Sequence, residues 1–157
     1  MSTATTTVTQ TIQLAIRATP EQVWNALVDP AVTPAYYIGF RAGFDDLSVG
    51  APYAYTAGGG DVITGTILEV EPGKVLRTTF NGHWDAGVAQ LPESVVTFAI
   101  IEPFMPMPGV TFLSCVHEGL ADTEDARHLE LGWVTILSGL KTLVETGRAM
   151  PLPPMGG

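Results

Sequence analysis

Apolar residues recur at Leu129, Trp133, Ile136, Leu137, Leu140, Leu143 and Val144, in steps of three and four. That spacing predicts one buried stripe on a long α-helix, from about Asp125 to Arg148. Arg127, Glu130, Thr135, Ser138, Lys141, Thr142 and Glu145 fall on the other side and are expected to face water. Asp122 and Thr123 are candidate N-caps, and Gly147 followed by Pro151 marks the stop. A helix of roughly 20 residues is about 30 Å long, and its stripe needs an apolar surface to match.

The rest of the pattern supplies that surface. Val8, Ile12, Leu14 and Ile16 share one parity, which predicts a half-buried strand over about Thr6 to Arg17. A helix follows, with Thr19 as N-cap, Pro20 at its first position and Gln22 completing a capping box. Asp29-Pro30 ends it. Thr33-Pro34 starts a second short helix that carries Tyr36, Tyr37 and Ile38. Strands are then expected over 39–46, 51–57, 62–70, 75–80, 94–101 and 110–118. Gly58-Gly59-Gly60 and Glu71-Pro72-Gly73-Lys74 are tight reversals between them. Residues 81–92 read as a longer loop. The order β-α-α-β-β-β-β-β-β-α predicts an α+β domain over 8–150, its antiparallel sheet curved around the last helix. Residues 1–7 and 151–157 read as flexible tails.

Composition narrows the function classes. The 157 residues fit one domain, and 46% of them are hydrophobic, enough for a core without staples. Seven basic residues against sixteen acidic ones give a net charge of −9, which disfavours nucleic acid and anionic membrane surfaces. The apolar window from Val95 to Val116 holds Glu102, Pro103, Pro106 and Pro108, so it reads as two strands and a loop rather than a membrane span. Met1 to Thr7 has no secretory pattern. Cys115 is the one cysteine, which fits a reducing compartment, and a cytoplasmic location is expected. No spacing of His and Cys suits a metal, so neither metal nor cofactor is expected.

Ala18-Thr19-Pro20-Glu21-Gln22-Val23-Trp24-Asn25-Ala26-Leu27 with Asp29-Pro30 resembles the opening helix of the START-like (SRPBCC) superfamily. Gly65 to Gly73, Pro92 to Phe98, His117-Glu118-Gly119, Gly132-Trp133, Leu140 to Leu143 and Glu145-Thr146-Gly147 resemble its AHSA1-like branch, named after the activator of Hsp90 ATPase. The resemblance covers about residues 8–150. It implies a helix-grip (START-like, Bet v 1-like) fold with a cavity between sheet and final helix. Members of the superfamily bind lipids, sterols, polyketides or hormones, and some are cyclases or aromatases. Many small bacterial-type members have no assigned activity. The eukaryotic namesake stimulates a chaperone ATPase and carries a further domain absent from this sequence.

Three functions follow as expectations. The first is a binding module for a small apolar or aromatic ligand, lined by Tyr36, Tyr37, Phe40, Tyr53, Tyr55, Phe80, Trp84, Phe98, Leu113, His117, Trp133 and Leu137. The second is a cofactor-free cyclase or lyase with His117 as acid/base. The third is a chaperone-associated interaction domain. His117 reads either as a polar anchor in the cavity or as a histidine hydrogen-bonded within the structure. His83 and Asp85 could share a face, with Trp84 as a flap over the cavity mouth. Arg77 is expected to face solvent by alternation. The apolar run Phe104-Met105-Pro106-Met107-Pro108 suggests a subunit contact and a possible homodimer.

Overall fold

The computed structural model describes residues 7–103 and 105–151. β1 (Thr7–Ile16) leads into α1 (Pro20–Val28) and a 3-10 turn (Thr33–Ala35). Six strands follow: β2 (Arg41–Gly43), β3 (Pro52–Ala57), β4 (Gly60–Glu71), β5 (Val75–Gly82), β6 (Ser94–Ile101) and β7 (Thr111–Ala121). A one-turn helix, α2 (Ala86–Ala89), interrupts the β5–β6 connection, and α3 (Glu124–Thr146) closes the fold. The seven strands form one antiparallel sheet in the order β1-β7-β6-β5-β4-β3-β2. α1 and the 3-10 turn therefore carry the chain from one edge to the other, and the remaining strands walk back. This is the expected helix-grip architecture. Thr7 already pairs with Ala121, and the rest of the expected tails, 1–6 and 152–157, lie outside the described residues.

Alternation places Ile12, Leu14 and Ile16 opposite Cys115, Leu113 and Thr111, and Phe98 opposite Cys115. These side chains share the concave face with Tyr53, Tyr55, Ile63 and Phe80, and α3 packs its stripe against them. Register shifts at Val8/Gln10, Tyr55/Thr56 and Ile67/Glu69 give the sheet the extra curl that gripping a helix requires. Arg77 turns outward as alternation predicts, and meets Glu118 at 3.3 Å on the convex face.

The helices end where the sequence says they should. Thr19 accepts from Gln22 N–H at 3.1 Å while the Gln22 side chain accepts from Thr19 N–H at 2.8 Å. Thr19→Ala should cost about 1 kcal/mol in urea denaturation, the usual worth of a cap. Thr123 caps α3, and Gly147 ends it at φ 75. Lys141 and Glu145 on the last turns of α3 bind the end of edge strand β1. The Lys141 ammonium donates to the Ala15 carbonyl at 2.8 Å, and Glu145 accepts from Arg17 N–H at 2.7 Å. Those donors hold the Glu145 carboxyl below its usual range, the Arg17 amide contributing most. The buried face of α3 differs from the expected stripe at both ends. Ala126 and Gly139 are buried, whereas Leu143 and Val144 are only half-buried. Gly139 lets Tyr36 sit against the helix, since a Cβ there would lie 3.2 Å from the Tyr36 Cβ.

Among the described residues no helix is long and apolar enough to cross a membrane.

Candidate functional site

The N-terminal half of α3 touches the sheet on the β1–β7 side, where Gln10 donates to the Ala126 carbonyl at 2.8 Å and Trp133 to His117 at 3.0 Å. A cavity of about 580 Å³ separates this half of the helix from β4, β5 and the Tyr37–Phe40 segment. Leu129, Gly132, Trp133 and Ile136 form its helical wall, Val62, Ile63 and Phe80 its sheet wall, and Trp84, Asp85 and Val88 its rim beside α2. The size lies within the roughly 300–1,000 Å³ range of small-molecule sites.

Five aromatic side chains line this cavity and form a closed circuit. Successive ring centroids are 6.0 Å apart from Tyr37 to Trp133, 6.2 Å from Trp133 to Phe80 and 6.2 Å from Phe80 to Trp84. The circuit closes at 6.1 Å from Trp84 to Phe40 and 6.1 Å from Phe40 back to Tyr37. Trp84 lines the cavity and is 40% exposed. Gly82 lets it fold back, because a Cβ there would fall 2.7 Å from the indole and 2.5 Å from Val88. Gly87 does the same for α2, whose approach to α3 brings the Asp125 carboxylate to 2.6 Å from where a Cβ would be. Asp85 N-caps α2, accepting from Val88 N–H at 3.3 Å.

A family model described as activator of Hsp90 ATPase homolog 1-like protein matches residues 17–145. The chain belongs to the AHSA1 family. No curated protein matches it. Among solved structures, protein CV1439 from Chromobacterium violaceum is 30% identical, covering 87% of this chain and 96% of its own, with a TM-score of 0.66. PFC0360w, an Hsp90 activator from Plasmodium falciparum, is 19% identical over 86% of this chain and 94% of its own, with a TM-score of 0.67. The Aha1 dimer from Colwellia psychrerythraea is 19% identical over 90% of this chain and 99% of its own, at 0.66. At 19% the last two bear on the fold alone.

In this AHSA1-family chain the expected lining residues separate into groups. Tyr37, Phe40, Phe80, Trp84 and Trp133 line the large cavity. Tyr53, Tyr55 and Phe98 instead border a void of about 10 Å³ deeper in the sheet, room for one water at most. Tyr36, Leu113, His117 and Leu137 are packed in the core and line neither. Leu137 is packed into the core, whereas Gly132 and Ile136, one step round the helix, line the cavity. Sequence reasoning missed Ile38, Ala57, Val62, Ile63, Asp85, Val88, Asp125, His128, Leu129, Gly132 and Ile136 as lining. Gly132 carried a signal, since a glycine inside a long helix usually has a packing or functional reason.

His117 is wholly buried and both ring nitrogens are engaged. Trp133 Nε1–H donates to Nδ1 at 3.0 Å, and Nε2 lies 2.7 Å from Ser94 Oγ. An indole N–H can only donate, so Nδ1 is the acceptor and Nε2 carries the proton. Ser94 then receives from His117 and passes its own hydrogen to the Phe80 carbonyl at 3.4 Å. A histidine that donates to a serine cannot also take its proton, so this pair is not arranged as a nucleophile and base. Burial pushes the His117 pKa down to about 4. His83 and Asp85 do not meet as a dyad: His83 bonds Thr64 Oγ1 at 2.7 Å and Asp85 caps α2. Burial raises the hydroxyls of Tyr36, Tyr37 and Tyr55 well above their usual range, and that of Tyr53 to about 12, so all stay protonated. It also pushes the Cys115 thiol up, away from a reactive thiolate. Among the described residues no three His, Cys, Asp or Glu side chains are grouped to hold a metal.

Ile101, Met105 and Met107 are exposed in and beside the β6–β7 connection, and Phe104 lies outside the described residues.

Proposed function

We propose that this protein binds a small molecule with an apolar or aromatic body in the cavity under α3. The observation that carries the reading is a space of about 580 Å³ whose mostly apolar lining includes five neighbouring aromatic side chains. A filled core would not leave such a volume, because interiors pack to crystal-like density. His117 contributes by fixing Trp133, one wall of the cavity, rather than by touching the ligand.

Gly132→Leu is the test. A Cβ at Gly132 meets nothing within 4 Å, so the new side chain starts in open space on the cavity wall. Helix propensity favours the change by up to about 1 kcal/mol. The variant should be at least as stable as the parent in urea, yet bind the neutral dye Nile red about tenfold more weakly or worse, a loss of ~1.4 kcal/mol. Unchanged dye affinity in the folded variant would overturn the assignment.

A homodimer is proposed on narrower grounds: the exposed Ile101, Met105 and Met107, and the dimer formed by the Colwellia relative. Multi-angle light scattering should give a dimer mass that reverts to monomer in Met105→Glu/Met107→Glu. A cytoplasmic location is proposed from the single buried, unpaired Cys115.

A further inference from the structure

We infer that the occupant of the cavity is an organic cation: an amine or quaternary ammonium group carried on an aliphatic or aromatic body. This rests on the ligand-binding reading above and narrows it. Two independent observations converge. The first is the closed circuit of Tyr37, Trp133, Phe80, Trp84 and Phe40, with sides of 6.0 to 6.2 Å. If the five centroids lay in one plane as a regular pentagon, sides of that length would put the centre about 5 Å from each ring, inside the ~6 Å reach of a cation–π contact. A packed core does not need its aromatic rings in a cycle around open space. A cage for a cation does, because the negative ring faces add up only when they converge.

The second observation is charge. Asp85 and Asp125 line the cavity, and no lysine or arginine does. Neither carboxylate has an ion-pair partner among the described residues. They bracket α2, one as its cap and the other against Gly87, so both stand where α2 borders the cavity. The chain as a whole carries −9, which steers cations inward and anions away. A fatty acid or a phosphate ester would enter past two like charges, with His128, already 3.9 Å from Glu124, as the only basic side chain among the described lining residues. An ammonium group would find carboxylates at the rim and aromatic faces behind them.

The experiment uses three probes that share one aromatic body: naphthylethylamine, naphthylethanol and naphthylacetate. Each is titrated into the full chain by calorimetry at neutral pH and low salt. The amine should bind tightest and the acetate weakest, with about a tenfold gap or more between them, as expected for a cation–π contact plus one partly screened ion pair. Asp85→Asn/Asp125→Asn keeps the shape and the α2 cap, since asparagine caps as well as aspartate. It should bring the amine and the alcohol to within about threefold. Trp84→Leu, at an exposed ring, should weaken the amine more than the alcohol. Equal affinity for amine and acetate, or an unchanged ranking in the double asparagine variant, would overturn the cation assignment while leaving the binding function intact. Alcohol binding that survives Gly132→Leu, or no binding of any probe, would overturn the cavity reading itself.

Discussion

Gly65→Val is expected to leave no stably folded protein. A Cβ at Gly65 would lie 2.2 Å from the Thr79 carbonyl oxygen, 2.7 Å from Tyr53 Cε1 and 2.8 Å from Thr79 Oγ1. The Tyr53 ring crosses β4 at this glycine to donate its hydroxyl to the Thr79 carbonyl at 2.6 Å. Thr79 cannot yield, because Thr66 N–H also donates to its Oγ1 at 2.8 Å and its backbone belongs to the β5–β6 ladder. Ordinary overpacking costs about 1–3 kcal/mol, and that figure assumes a neighbour able to move. With backbone as the obstacle the loss should exceed ~4 kcal/mol, much of a typical domain's net stability of roughly 5–15 kcal/mol. Even Gly65→Ala should show it, as a collapsed urea midpoint and a lost near-UV circular dichroism signal. Tyr53→Ala/Gly65→Ala should not recover, since it relieves the ring but not the carbonyl. Tyr53→Phe alone, which removes only the hydroxyl, should cost about 1 kcal/mol. A Gly65→Ala variant within about 1 kcal/mol of the parent would mean that β3, β4 and β5 do not cross this closely.

Gly65 also shows what a sequence exposes and what it hides. Hydrophobic spacing located α3 and all seven strands, because helix and strand periods are local properties of the chain. Caps at Thr19, Thr123 and Gly147 were legible for the same reason: each depends on residues within one turn. The need for glycine at 65, 82 and 87 was not legible. It arises from contacts with Thr79, Trp84 and Asp125, whose approach is set by the tertiary fold. α2 was missed because one turn held by Asp85 has no period to detect. The cavity was half visible. The aromatics expected to line it were chosen by type, and five of them do so. Choice by type cannot distinguish Tyr37, at the cavity, from its neighbour Tyr36, whose hydroxyl is spent on the Ala26 carbonyl. Nor could it place Leu137, buried in the core, and Gly132, on the cavity wall.

Acidification should destabilise this protein by up to about 3 kcal/mol through His117 alone, between pH 6.5 and pH 4. The unfolded chain takes up a proton on this side chain as pH falls through 6.5, its ordinary value. The native state refuses that proton until about pH 4, because the ring is buried and its Nδ1 already accepts from Trp133. The unfolded state therefore binds more protons across the window, and stability rises with pH there. The contribution is complete above pH 6.5 and gone below pH 4. Carboxylates titrate over the lower part of the same range, so His117→Gln supplies the reference. Its amide can accept from Trp133 and donate to Ser94, which keeps the network in kind while removing the titration. The urea-derived stability gap between parent and variant should shrink by about 3 kcal/mol from neutral pH to pH 4. A constant gap would show that His117 is not the group responsible. The same proton should reach the cavity, because protonated Nδ1 can no longer hold the Trp133 indole. Dye affinity in the parent should then stay level while stability declines and fall only near pH 4, where the native ring takes its proton, whereas His117→Gln keeps its affinity until unfolding begins. That outcome would make the buried histidine the part of the fold that keeps one wall of the binding site in place.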